Sequence, residues 1–269
     1  MKAPLLWLLV LALNFLCYAN AQINVLADPD SPEASPLESP ESSTLAPDSG
    51  SWKRIIPDIA SDQKRIWTFP LHVFERKNLM PVMGVLAVTA GLVAIDPVDT
   101  PPFRRSLTAF HGFNNAFSGR NTALITAAVP ISFLAVGLLR RDSFAQQTAL
   151  LAGEAVADAE ILTVVMKTVD RRVYPANIPP HGNFADSWFD NKNGFSHGSF
   201  PSGHTIAAFS VATVIARRYG NHRWVPYVAY GAAAAVGFSR LSLAAHFPSD
   251  VFMGAALGYS ITRFVVLHR

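Results

Sequence analysis

The stretch NTALITAAVPISFLAVGLL, residues 121–139, carries no charged side chain. Its apolar residues do not alternate with polar ones, as a half-buried strand would require. Wound as a helix at about 1.5 Å per residue, it matches the roughly 30 Å hydrocarbon layer of a bilayer. A second uncharged run, LMPVMGVLAVTAGLVAI, occupies residues 79–95. Residues 148–167 keep helical spacing but include Glu154, Asp158 and Glu160. Shorter runs rich in Ala and Gly follow at about 205–216, 225–239 and 251–267. With almost no strand pattern between them, these runs predict an all-α fold: a helical bundle of about five or six core helices, embedded in a membrane. Acids within such a bundle point into it or into a polar cavity rather than at lipid. Glu154 and Asp158 share one face at i, i+4 spacing, and either support basic residues of a site or form a solvated face. GAALG, Gly254 to Gly258, is a GxxxG motif that serves close packing in a bilayer or in any helical bundle.

Of 269 residues, half are hydrophobic and 15% charged, with a net charge of +3 and a mean hydropathy of +0.25. That is enough chain for one sizeable domain, with a hydropathy between those of soluble enzymes and compact polytopic membrane proteins. The small net charge gives no reason to expect a nucleic-acid partner. Lys2, the apolar core Leu5 to Leu16 and the small-residue site Ala19-Asn20-Ala21 read as a signal peptide over residues 1–21. The single cysteine, Cys17, lies inside it. Cleavage after Ala21 leaves a chain without disulfides or cysteine-based metal sites. Residues 22–51 contain DPDSPEASPLESPESSTLAPDSG, a Pro, Ser and acidic stretch that reads as a disordered linker. Residues 52–78 mix charge with aromatics and read as an amphipathic or interfacial segment, ahead of a helical domain over 79–269.

Two short segments carry the chemistry. In SFPSGHT, residues 199–205, Ser202 and Gly203 stand where a helix begins. Free backbone amides and a hydroxyl there make an anion site, and Gly203 lets an oxyanion approach the backbone. His204 follows, placed to protonate a leaving oxygen. In SRLSLAAHFPSD, residues 239–250, Pro248 suits a first helical turn. His246 therefore precedes that helix and Asp250 lies within it. An Asp so placed accepts from one imidazole nitrogen and leaves the other free to attack. Arg240 adds a forked cation suited to phosphate oxygens. Taken alone, a Ser N-cap is commonplace and a lone His is usually structural. Together they equip a chain for phosphoryl transfer through histidine.

PSGH followed by S-R-x5-H-x3-D resembles the second and third signature motifs of the type-2 phosphatidic acid phosphatase and vanadium haloperoxidase superfamily, at every defining position. The first motif of that superfamily, K-x6-R-P, aligns with KTVDRRVYP. Lys167 and Pro175 match, but Tyr174 replaces the arginine. That leaves three readings: Arg172 or Arg171, one or two residues earlier, swings in and compensates, which is the one favoured; the enzyme is slow; or its chemistry is altered.

The resemblance implies that His246 is the nucleophile and that Asp250 orients it. It makes His204 the general acid and then the base, and gives Lys167, Arg172, Ser202, Gly203 and Arg240 the phosphate oxygens. The two histidines need opposite protonation, so their surroundings are expected to push their pKa values apart. No metal or cofactor is required, and no cluster in the sequence resembles a metal site. The implied activity is hydrolysis of a phosphomonoester or diphosphate, of a phosphorylated lipid or a small phosphoester, through a phosphohistidine. Vanadate-dependent halide oxidation and a catalytically impaired phosphate binder are the alternatives. His72, His111, His181, His197, His222 and His268 have no partner spacing and read as structural or exposed, His197 being the one nearest PSGH. The loop 176–198 reads as a connection or as a shaper of substrate access.

Membrane relatives in that superfamily place the motifs outside the cytoplasm, and Arg140-Arg141 with RRYGNHR, 217–223, partly agree by the positive-inside rule. A cleaved signal followed by six spans would instead place the motifs inside. The expected location is the cell membrane with an extracytoplasmic site, the alternative a soluble periplasmic protein.

Overall fold

Caps and chain reversals set the helix boundaries. Asp142 accepts from the amides of Phe144 and Ala145 at 2.9 and 3.2 Å and so starts the central helix. Arg141 before it, at φ 57°, ends the previous one. The computed structural model describes residues 51–189 and 197–268. The segment read as a signal peptide, the stretch read as a linker up to Gly50 and residues 190–196 of the long loop lie outside the described residues. In chain order the helices are α1 (Ile55–Thr68), α2 (Arg76–Arg105), α3 (His111–Ala116), α4 (Gly119–Arg140), α5 (Ser143–Asp170), α6 (Gly203–Arg218), α7 (Val225–Ser242) and α8 (Pro248–Phe264). Short 3-10 turns at Phe69–His72, Pro175–Asn177 and Val266–His268 complete them, with no strand among the described residues.

The six apolar runs become α2, α4, α5, α6, α7 and α8, while α2 runs on past residue 95 through Pro97, Pro101 and Pro102. α6 packs against α5, α7 and α8. Leu151, Ala155, Ala159, Ile206, Val214 and Ile261 are buried between these helices. The small-residue motif works inside this bundle. A Cβ on Gly254 would stand 2.8 Å from the Ser202 carbonyl oxygen, and one on Gly258 2.5 Å from that of Ile206. Only glycine lets the α8 backbone press against α6 there.

Among the described residues, three segments are long and apolar enough to cross a membrane: Asn78–Arg105, Gly119–Arg140 and Pro248–His268. Leu86, Val88, Ile95, Leu124, Ile131 and Leu139 on α2 and α4 are exposed. Outward-facing apolar side chains on long helices are what a lipid environment accommodates, and this is a membrane protein.

α1 is inside-out relative to a soluble amphipathic helix. Its buried residues are Asp58 and Asp62, while Ile56 and Trp67 face outward. Gln63 Nε2 donates to Asp158 Oδ1 at 2.8 Å, and Arg65 donates to the Val265 carbonyl at 3.1 Å. Glu154 and Asp158 therefore face α1, about three turns from Lys167. They are buried, so they neither form a solvated face nor support the basic residues of the site. With Asp62 they make a group of carboxylates whose oxygens lie within 4.8 Å of one another, a cluster that no local spacing in the sequence announces.

Candidate active site

Five helix ends meet at one end of the bundle: the starts of α4, α6 and α8 and the ends of α5 and α7. A cavity of about 590 Å³ opens there, lined by Lys167, Tyr174, Gly203, His204, Arg240 and His246, among others. Five of the eight residues singled out from the sequence thus share one wall. Asp250, Ser202 and Arg172 stand behind it.

His246 follows α7, with its amide donating to the Arg240 carbonyl at 3.2 Å. The Asp250 carboxylate accepts from His246 Nδ1 at 3.4 Å and from the Phe247 amide at 3.0 Å. Because a carboxylate only accepts, the proton sits on Nδ1, and Nε2 keeps its lone pair. Arg240 is 2% exposed. Its Nη2 donates to the Phe117 carbonyl, to Thr122 Oγ1 at 2.9 Å and to Ser239 Oγ at 2.8 Å. Nη1 stands 3.7 Å from where a Cβ on Gly119 would lie, on the cavity wall. His204 Nε2 lies 3.1 Å from the Gly119 carbonyl oxygen, which only accepts, so its proton is on Nε2.

Both histidine environments push downward, so the opposite starting protonation expected of the pair is not set in the free protein. Burial drives His204 down to about 4, reinforced by the Arg240 charge and opposed by the Gly119 carbonyl. Burial also lowers His246, against the hydrogen bond and charge of Asp250. Both imidazoles are therefore neutral at pH 7. The two cations that face an incoming anion, Arg240 and Lys167, help hold His204 down.

Tyr174 takes the place of the motif arginine without its chemistry. Its hydroxyl donates to the Gly198 carbonyl at 2.9 Å and accepts from Lys167 Nζ at 3.2 Å. Its ring meets that of His246 edge-on, with centroids 5.5 Å apart.

Neither neighbouring arginine compensates. Arg171 ends α5 at φ 43°; it is exposed and donates to the Phe189 carbonyl at 3.3 Å. That turn sends the next side chain inward. Arg172 is 1% exposed and donates to Asp250 Oδ1 at 2.6 Å, Asp96 Oδ2 at 2.7 Å and Ser249 Oγ at 2.7 Å. Its guanidinium lies between the rings of Trp188 and Phe247, 4.3 and 3.7 Å from their centroids. A cation so occupied faces away from the cavity, and its assignment to phosphate is corrected to support of Asp250.

Ser202 is corrected likewise. It is fully buried, its amide donates to the Asp250 carbonyl at 3.0 Å and its hydroxyl accepts from Thr205 at 2.9 Å. It ties the start of α6 to the first turn of α8, and leaves Gly203 as the backbone element on the cavity wall.

The sequence reading missed Asp96 and Ser249, and placed Glu160 only as an acid directed into the bundle or a polar cavity, where it lines the site. Ser249 donates to Asp96 through both amide and hydroxyl. This fastens α2 to α8 behind the site. Asp96 directly follows an uncharged run, and an acid in that position was the available signal. Glu160 lies seven residues before Lys167, on the same helical face.

Residues 148–268 match the PAP2 superfamily. They contain every residue that builds the cavity's histidine, aspartate and arginine constellation. Residues 148–268 belong to the PAP2 superfamily.

Relatives of the PAP2 region differ in what they are named for. The chain is 34% identical over 138 residues to the bacitracin transport permease protein BcrC of Bacillus licheniformis, covering 49% of this chain and 63% of that one. It is 40% identical over 67 residues to a lipid A 1-phosphatase of Porphyromonas gingivalis, covering 24% and 15%. A lipid A 1-phosphatase of Rhizobium johnstonii is 30% identical over 111 residues, covering 40% and 43%. The matches thus span less than two thirds of each of these relatives. A transmembrane PAP2-type phosphatidylglycerolphosphate phosphatase from Bacillus subtilis is structurally similar at 19% identity and a TM-score of 0.41, over 78% of this chain and 94% of that one.

Proposed function

We propose that the chain is a metal-independent phosphatase that hydrolyses a lipid phosphate through a phosphohistidine. The observation that carries this reading is the His246–Asp250 pair, which shares one cavity wall with His204, Lys167 and Arg240. His246 Nε2 attacks phosphorus as the bond to the leaving oxygen breaks, and His204 gives that oxygen its proton. Water then attacks the phosphohistidine, His204 takes a proton from it, and His246 is released with inorganic phosphate. Lys167, Arg240 and the Gly203 amide stabilise the charge on the phosphoryl oxygens. Asp250 holds the attacking tautomer, and Arg172, Asp96 and Ser249 hold Asp250.

Purified protein is expected to release phosphate from a lipid phosphomonoester in detergent containing EDTA. Loss of release with EDTA would remove the metal-independent scheme. Vanadate-dependent halide oxidation in its place would move the site to the haloperoxidase reading.

The pH dependence follows from the two lowered histidines. His246 must be neutral to attack, so activity is lost as pH falls through its depressed pKa. His204 must carry a proton to act as acid, and in the free protein it loses that proton above about 4. A bound phosphate dianion places negative charge beside His204 and raises its pKa. The alkaline limb of kcat is therefore expected at higher pH than that of kcat/KM, once the latter is corrected for the second ionisation of the substrate. Coincident limbs would contradict the assignment of His204 as acid.

We further propose that the site faces away from the cytoplasm. Arg140, Arg141, Arg217, Arg218 and Arg223 lie at the end of the bundle opposite the cavity, where the positive-inside rule favours the cytoplasm. The outward apolar face of α1 then lies in the cytoplasmic membrane interface. In a Cys17→Ser background, a membrane-impermeant maleimide is expected to label His181→Cys in intact cells and to leave Asn221→Cys unlabelled until lysis. The reverse pattern would invert the topology.

A further inference from the structure

The cavity that holds the histidines extends along α5, from Lys167 to Glu160. Glu160 lies two turns, or about 10 Å, below Lys167 on that helix. Both line the same cavity, as do Thr126 of α4 and Thr163 of α5. The Glu160 carboxylate oxygens stand 3.4 and 3.6 Å from the position a Cβ on Gly203 would take. An acceptor-only group thus flanks the start of α6, the element that receives phosphoryl oxygens. Phosphate binding does not call for it there, since a carboxylate next to an anion is repulsive. Its placement makes sense toward the part of the substrate that is not phosphate.

We propose that Glu160 determines substrate class. It accepts from a hydroxyl or N–H on the leaving group next to the phosphoester, and it repels a second phosphoryl group. The inference rests on the phosphatase reading. The favoured substrates are lipid phosphomonoesters of a sugar or polyol type, whose donors lie one or two bonds from the ester carbon. Prenyl diphosphates lack such donors and present a second anion to the carboxylate. Selection works by both means, an attractive contact for one class and a like-charge penalty for the other. Thr126 and Thr163 make the same stretch of wall polar.

The test compares kcat/KM of the full-length protein in detergent on 2-N,3-O-diacylglucosamine 1-phosphate and on farnesyl diphosphate, with thermal melting as the check on folding. The wild type is expected to favour the sugar phosphate. Glu160→Gln removes the charge at nearly constant shape, and is expected to lower the ratio of the two values threefold or more, by about tenfold. Should that variant melt differently, the ratio is read on Thr126→Asp, which adds a second carboxylate to the wall and raises the ratio instead. A change of less than threefold, or a wild-type preference for the diphosphate, overturns the assignment of Glu160 and leaves the phosphatase reading intact. If the wild type releases phosphate from neither substrate, both fail together.

Discussion

Arg172→Ala is expected to abolish most activity and to destabilise the protein by about 3–5 kcal/mol, the range for removing one partner of a buried ion pair. The guanidinium is 1% exposed and lies between two carboxylates that are equally buried, Asp96 and Asp250. Without it both acids remain in the interior with no cation between them, and Ser249 loses its donor. Asp250 would then turn or take up a proton, and His246 would lose the acceptor that fixes its tautomer. Arg171→Ala is the control. Its side chain is exposed and reaches only the Phe189 carbonyl, so stability and kcat/KM are expected to stay near wild type, within about 0.5 kcal/mol. Chemical denaturation and steady-state kinetics on both variants check the pair. Equal behaviour of the two would mean that Arg172 is not the counter-charge of Asp250.

His246→Ala is expected to lower kcat by about 10⁴-fold or more with little loss of stability. Removing the nucleophile of a covalent mechanism costs on this order, and the residual rate comes from oriented donors alone. His246 packs edge-on against Tyr174 and makes one long contact with Asp250 at 3.4 Å, so the fold does not lean on it. The measurement is phosphate release under saturating substrate, with the melting temperature read beside it. A variant that retains a tenth of wild-type kcat would place the nucleophile elsewhere.

Much of this arrangement was legible before any coordinates, because it rests on local rules. Helical spacing and missing charge located the six long helices within a few residues at most ends, and Pro248 and Ser202 marked where α8 and α6 begin. The third motif is local too: four residues of a first helical turn bring Asp250 under His246. What failed was non-local or depended on one dihedral angle. Charge and proximity recommend Arg171 and Arg172 as substitutes for the motif arginine. A left-handed residue at Arg171 turns one outward and the other into the bundle, and no propensity foretells that. Asp96, some 150 residues from Ser249, is found only when α2 packs against α8. Glu160 is legible as an acid directed into the bundle or a polar cavity, and a spacing of seven residues, two helical turns, places it under Lys167.

The most direct test of a phosphohistidine route is to look for the phosphoryl group on the imidazole. Rapid mixing of the protein with excess lipid phosphate, a base quench and mass spectrometry of the resulting peptides would catch it. An acid-labile, base-stable adduct on His246, formed faster than turnover and missing from the Asp250→Ala protein, is the predicted result. Turnover with no adduct on His246 at any quench time, or with the adduct on His204, would contradict it.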